Sequence, residues 1–480
     1  MKVLYVTSEA LPFASSGGLA DVAGSLPRAL RRRLVGCRVV LPLYESVPAE
    51  WREQLTFVAS ISVPVSWRRQ YCGLFTKTVD GVVYYLLDNQ YYFKREGLYG
   101  HYDDAERFAF FARAVLEMLP IIDFKPDIIH ANDWQTALTP VYYKLFYEQL
   151  PDYSGIKTLF TIHNIQYQGK YGFEILGDVF GIGDEQKGMM GFDGCINLMK
   201  AGIEAADHVN TVSPTYAKEI LDPWYSYGLD PILRKRQDKL CGILNGIDTV
   251  LHDPARTAST QMAAALEVPY SLEDPSGKAV NKAMLQKRLG LFWSADTPLI
   301  GMVSRLTVQK GFDLVRQVLE ELLNEADFQM VVLGTGEEQY EDFFDAMAGK
   351  YPDRLAFYRG FVPELAQKIY AGSDLFLMPS KSEPCGLAQM IALRYGTLPI
   401  VRATGGLRDS VTDFGDDQGN GITFLQCDAE DMRDAIHRAL QTYHSERWPQ
   451  LVLRALACDF GWARSAGEYI RLYKALAGNK

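Results

Sequence analysis

A chain of 480 residues is too long for one hydrophobic core and predicts two or three domains. At 48% hydrophobic and 22% charged it has the composition of an ordinary soluble globular protein. The 49 basic against 59 acidic residues leave a net charge of −10, which disfavours a nucleic-acid or anionic-membrane partner but permits a local cationic pocket for an anionic small molecule.

In chain order, an apolar strand over 2–7 leads through the turn Ser15-Ser16-Gly17-Gly18 into a helix over 19–33. A second strand covers 37–43, and 55–93 reads as a run of short strands with turns at Asp80-Gly81 and Asp88-Asn89. A helix follows over 103–119. A short strand over 127–130 runs into Ala131-Asn132-Asp133-Trp134 and a helix through 146, and the strand 157–162 runs into His163-Asn164. The strand 206–212 precedes Ser213-Pro214-Thr215, a helix-start signal. After 241–248 the pattern lapses, to about 280, into a polar, Pro-containing segment. A second series then alternates strands at 299–303, 328–333, 355–359, 374–378 and 398–402 with helices at 312–325, 337–349, 363–371, 386–395 and 406–412. An amphipathic helix over 463–476 closes the chain and is expected to return to the first domain.

Strands alternating with helices specify parallel sheets. The expected fold class is α/β, with two Rossmann-like doubly wound domains: 1–245, joined by the terminal helix 461–480, and 246–460. The seven cysteines are scattered, with no Cys-x-x-Cys, as in a reduced cytoplasmic protein rather than a disulfide framework or zinc site. Met1 is followed almost at once by a strand, so no leader is expected, and no apolar run approaches the roughly 18 residues of a membrane span.

Loops that leave the C-terminal ends of parallel strands are where α/β proteins bind ligands. In the second half, Arg305 and Lys310 lie in the turn after 299–303, a planar fork and a point charge suited to a diphosphate. Taken alone they serve equally well as solvated loop cations. Leu333-Gly334-Thr335-Gly336-Glu337 is a Gly-x-Gly turn that would admit a ligand close to backbone, or simply a turn. Glu383, in Ser382-Glu383-Pro384-Cys385-Gly386-Leu387, stands at the mouth of a helix that could hold an anion, or serves as a carboxylate complementing the dipole. Thr404-Gly405-Gly406-Leu407 opens a further helix. Four such loops in register favour a nucleotide-diphosphate site. The first half offers Gly17-Gly18, Asp133-Trp134 and His163-Asn164-Ile165-Gln166-Tyr167, amide, carboxylate, imidazole and aromatic groups that suit a hydroxyl-rich sugar.

With Ser8-Glu9-Ala10-Leu11-Pro12, Gly17-Gly18-Leu19-Ala20-Asp21-Val22, Thr161 to Gly169 and Leu244-Asn245-Gly246-Ile247-Asp248 added, the whole chain resembles bacterial glycogen synthases and their starch synthase relatives. The resemblance implies two Rossmann-type domains around a deep cleft, the GT-B type. It implies transfer of glucose from a nucleotide sugar, ADP-glucose or alternatively UDP-glucose, to the 4-hydroxyl at the non-reducing end of an α-1,4-glucan such as glycogen, with retention. By this likeness Arg305 and Lys310 bind the donor diphosphate and Glu383 stabilises the cationic sugar. Ser15, Gly17, Gly18, Gly336, Cys385, Gly386, Thr404, Gly405, Gly406 and Leu407 line the donor. Asp21, Asp133, Trp134, His163, Asn164, Tyr167 and Asn245 face the transferred glucose or the acceptor. No cofactor or metal is implied, and no Asp-x-Asp occurs in the chain.

Three positions depart from the pattern. Ser15 stands where the family's opening loop has lysine, which opens the alternative of a glucan-binding or regulatory relative with weakened activity. Ile391 replaces a second Glu of many retaining transferases and sorts the chain into the glycogen synthase branch. Lys381 replaces a more usual Arg. Tyr84, Tyr85, Tyr91 and Tyr92 are candidate remote glucan platforms, though strand packing accounts for them as well.

Overall fold

In the computed structural model, residues 1–257, 266–416 and 418–478 are described. The chain divides into two compact units, Met1–Gly246 with Trp462–Lys480, and Ile247–Gly461. Among the described residues no helix is long and apolar enough to cross a membrane.

The first unit is built on a nine-stranded sheet with spatial order Leu240–Gly242, His208–Thr211, Lys157–Ile162, Ile128–Asn132, Lys2–Val6, Gly36–Pro42, Val82–Asp88, Arg68–Val79, Thr56–Val65. The first seven pair in parallel, and Arg68–Val79 is antiparallel to both its neighbours. Val3 to Val6 are wholly buried, as the unbroken apolar run of a central strand covered on both faces requires. The region 55–93, expected as short strands, holds strands of 10 and 12 residues and then one of 7. Thr56–Val65 is the edge strand and pairs along its length with Arg68–Val79 as an antiparallel hairpin. Tyr84, Tyr85 and Tyr92 pack into this core, and only Tyr91 of the four candidate platforms is exposed.

The terminal helix, Trp462–Ala477, is part of this unit. Tyr469 and Tyr473 are fully buried on the core. Tyr473 Oη lies 2.8 Å from His130 Nδ1, and Asn210 Nδ2 donates to Tyr469 Oη at 3.1 Å. Each such buried hydrogen bond adds about 1 kcal/mol to the burial of its ring.

The second unit has a six-stranded, all-parallel sheet in the order Leu355–Arg359, Gln329–Gly334, Leu299–Val303, Leu375–Met378, Leu398–Arg402, Ile422–Phe424. Of the polar stretch expected up to about 280, residues 258–265 lie outside the described residues. Its end is helical, since Gly277–Leu289 forms a helix that weak amphipathicity concealed in the sequence. Lys278 and Lys282 on that helix are buried and tie it to the sheet. Lys278 Nζ reaches four oxygens, those of Ala371, Ser373 and Tyr395 and the Thr397 hydroxyl, at 2.7–3.1 Å. Lys282 pairs with Asp374 at 2.7 Å.

Candidate functional site

Because the strands are parallel, each unit gathers its connecting loops at one sheet edge, and the candidate residues fall on those edges. In the second unit the loop after Leu299–Val303 is laced to its neighbour. Leu306 N donates to Thr335 O at 2.9 Å and Glu337 N to Leu306 O at 2.8 Å. Gly336 is required for this approach, because a Cβ there would lie 2.3 Å from Leu306 O. Its lack of a side chain serves the packing of two loops rather than an opening for ligand. Glu341, almost buried, fastens the same turn by accepting from Gly336 N at 2.7 Å and from Arg359.

The third loop carries Glu383, which is 6% exposed. Its Oε2 accepts from Lys310 Nζ at 2.6 Å and from Ser380 Oγ at 2.9 Å. Arg305 differs. It is exposed, and its guanidinium forms no hydrogen bond or ion pair among the described residues. Lys381 pairs with Asp313 at 2.5 Å. The helix beyond Glu383 runs Ala388–Arg394 and begins later than the expected 386, because Gly386 turns left-handed at φ 69°. Cys385 is buried and in no disulfide.

The fourth loop packs on the third. A Cβ on Gly405 or Gly406 would fall 1.9 Å from Glu383 O or 2.0 Å from Cys385 O. Gly406 N donates to the carbonyls of Glu383 and Pro384 at 3.1 and 3.2 Å, and Leu407 N to Thr404 O at 3.0 Å. These amides therefore have protein partners, and the capacity to meet an anion falls chiefly on side chains. Thr404 and Leu407 are fully buried, with Leu407 packed on Val401 and Val411.

In the first unit, Asp133 with Trp134 and His163 with Asn164 follow the C-terminal ends of adjacent parallel strands, and Asn245 follows Leu240–Gly242, two strands further along the sheet. Asp133 adopts φ 58°, and its Oδ1 accepts from His163 N at 2.7 Å and Asn164 N at 3.3 Å. Burial pushes its carboxyl up to about 7, the two amide donors opposing the rise. His163 Nε2 lies 2.9 Å from Asn132 Oδ1, and burial lowers the imidazole to about 3, so the ring is neutral at any working pH. It is a fixed hydrogen-bonding group, not a charged acid. Asn245 is buried with Oδ1 unpartnered, while Tyr167 is half exposed. Trp134 is 8% exposed and edge-on to Phe108 at 5.3 Å, a core residue rather than a stacking surface.

Ser15, Ser16, Gly17 and Gly18 are exposed on the loop after Lys2–Val6, and Asp21 lies in the first turn of the helix Gly18–Arg32. Buried Glu9 anchors this loop by accepting from Ser16 N, and burial raises its carboxyl to about 7. Three residues with no role apparent in the sequence also hold these loops: Glu9, Tyr99, whose hydroxyl is 2.8 Å from Ser8 Oγ, and Arg402. Arg402 is 5% exposed, with Nε donating to Ser380 O at 3.0 Å and Nη2 to Lys381 O. A charged residue ending an apolar strand, or following one closely, was the available signal for Arg402 and Glu9. Tyr99 carried none.

Two parallel-sheet units, each with polar and charged loops collected at the C-terminal ends of its strands, define a two-domain α/β glycosyltransferase of the GT-B kind. Residues 2–235 match the family described as starch synthase catalytic domain, and residues 287–449 match glycosyl transferases group 1. The chain is 47% identical over 481 residues to a glycogen synthase of Bacillus cereus (strain B4264), covering 99% of this chain and 100% of that one. It is 49% identical to the glycogen synthase of Geobacillus thermodenitrificans (strain NG80-2), covering 99% and 98%. The catalytic domain of starch synthase IV from Arabidopsis thaliana, solved bound to ADP and acarbose, superposes with a TM-score of 0.91 at 34% identity over 99% of each chain. The chain belongs to the glycogen and starch synthase family.

Proposed function

We propose that the chain transfers glucose from ADP-glucose to the non-reducing end of an α-1,4-glucan with retention of configuration, in the cytoplasm and without a metal. The observation that carries this is the Arg305, Lys310 and Glu383 constellation on one sheet edge: an unpaired cation, a second cation 2.6 Å from a buried carboxylate, and that carboxylate fixed by Ser380. The donor choice is supported by the ADP bound to the Arabidopsis relative.

Breaking a glycosyl–phosphate bond is mainly a problem of charge separation, and preorganised cations on the leaving diphosphate are the strongest lever against it. Arg305 binds the diphosphate through its fork, and Lys310 leaves Glu383 to join it. Glu383, then free, accepts from the glucose hydroxyls and stabilises positive charge at C1. The C1–phosphate bond breaks and the C1–O4 bond to the acceptor forms. The acceptor's hydroxyl proton passes to the departing phosphate oxygen, giving ADP and a glucan longer by one residue. Neutral His163 and Asp133, held on adjacent strand ends, orient hydroxyls of the sugar. A parallel assay of ADP-glucose and UDP-glucose with glycogen tests this. Faster transfer from ADP-glucose is expected. Preference for UDP-glucose overturns the donor assignment, and no transfer from either overturns the catalytic one.

A further inference from the structure

The loop between the helix Gly277–Leu289 and the strand Leu299–Val303 displays Phe292 and Trp293 side by side, 67% and 65% exposed. The backbone on either side of Trp293 is pinned. Phe292 N donates to Asp353 O at 2.9 Å, and Phe292 O accepts from Gln329 Nε2. Gln286 Nε2 donates to Ser294 O at 2.9 Å, while Ala295 O accepts from Lys282 Nζ at 3.1 Å and Tyr443 Oη at 3.0 Å. Gln286 and Gln329 are themselves buried and bonded to each other at 2.7 Å. A rigid frame thus holds two large apolar rings out in water, and little backbone order is left to lose on binding.

The loop enters its strand at the N-terminal edge of the parallel sheet, whereas the Arg305, Glu383 and Gly405 loops leave at the C-terminal edge. A strand's length, roughly 17 Å, separates the two edges, so these rings take no part in transfer. They are also too few for a protein interface, which needs about 800 Å² on each partner around an apolar centre. Ser294, Asp296 and exposed Asp353 flank them instead. Two rings beside hydroxyl, carboxylate and carbonyl acceptors match a neutral polymer with apolar ring faces and hydroxyl edges. We propose that Phe292 and Trp293 form a stacking platform that holds an α-glucan chain at the sheet edge opposite the transfer site. This rests on the glucan acceptor proposed above, and it gives the enzyme a second grip on a polymer much larger than one active site.

The test is electrophoresis of the full chain through native gels containing glycogen, together with kinetics on glycogen and on a short maltooligosaccharide. Phe292→Ala/Trp293→Ala should weaken apparent glycogen affinity about ten-fold, the scale of losing two stacked rings, and raise KM for glycogen in step. KM for the short acceptor and for ADP-glucose should stay as in the unsubstituted chain. Phe292→Tyr/Trp293→Tyr should restore retardation, which separates lost stacking from damaged folding. Equal retardation of the double-alanine and unsubstituted chains, or a parallel rise in KM for the short acceptor, overturns the platform. Failure of transfer to both acceptors by the unsubstituted chain overturns the proposed function instead, while the gel still reads the platform.

Discussion

Lys310 Nζ lies 2.6 Å from Glu383 Oε2, and the carboxylate is almost fully buried. The cation assigned to the leaving diphosphate is thus held by the carboxylate assigned to the sugar. In the proposed mechanism donor binding exchanges that partner for phosphate, while Arg305 has no such partner to leave among the described residues. Glu383→Gln removes the competing charge. It is expected to tighten ADP binding about five- to ten-fold in titration calorimetry while lowering kcat by about 10²-fold or more. In a Lys310→Ala background the same change should leave ADP affinity unaltered. An unchanged ADP affinity in Glu383→Gln alone would remove the exchange from the mechanism.

Arg402 acts on the same carboxylate at one remove. Its fork holds the carbonyls of Ser380 and Lys381, and Ser380 Oγ donates to Glu383. Arg402→Lys keeps the charge but loses the fork, and should lower kcat about ten-fold with KM for the donor little changed. Combined with Glu383→Gln it should add no further loss. Full additivity in that double variant would show that Arg402 supports the fold and does not position Glu383.

The buried carboxyls Glu9 and Asp133 both titrate near 7 in the fold, raised by burial above their ordinary values. The folded state therefore binds their protons more tightly than the unfolded chain does. Stability from the neutral forms is fully present below about pH 4, and is lost as pH rises to and through 7. Glu9→Gln cannot ionise. Its thermal midpoint relative to the unsubstituted chain should rise between pH 5.5 and 8, by about 1–3 kcal/mol in stability. Calorimetric scans at both pH values that show a constant difference would contradict this.

Lys278 is buried with four oxygens around its amine, and burial draws its pKa down to about 7. Lys278→Met removes the amine that gathers those oxygens, although Tyr270 Oη still donates to the Tyr395 and Ala371 carbonyls and Thr397 Oγ1 to the Ser373 carbonyl, and should destabilise the second unit by about 1–3 kcal/mol in denaturant unfolding. Loss under 1 kcal/mol would mean that water replaces the amine.

Ser15 is exposed on the loop that Glu9 anchors, at the position where relatives are expected to carry lysine. If the loop faces the donor phosphates or the acceptor, Ser15→Lys should raise kcat/KM several-fold, with a gain that shrinks as salt screens the added charge. A salt-independent or absent gain would place the loop away from developing charge.

Much of the fold was legible because parallel strands announce themselves as unbroken apolar runs. Leu299–Val303 and Leu398–Arg402 fall on the expected residues. The helix Gly277–Leu289 did not, since its inward face carries Lys278, Asn281, Lys282 and Gln286, polar groups buried only because the sheet supplies their partners. Trp134, expected at the sugar, is core because Phe108 and Gly169 close around it.

Residue types and their order along the chain determined which loops carry chemistry: cations after one strand, a carboxylate after another, glycines at the turns. Order along a chain follows local sterics and hydrophobic period, so those features are readable one segment at a time. Tertiary structure alone decided what each group does to its neighbours. Gly336, Gly405 and Gly406 pack loop on loop instead of lying open, Arg402 and Glu9 turn inward to hold the loops, and Lys310 is bound to Glu383 across 73 positions of sequence. Hydrogen bonds and ion pairs depend on distances of a few ångströms between segments remote in the chain, and only the folded sheet brings them into reach.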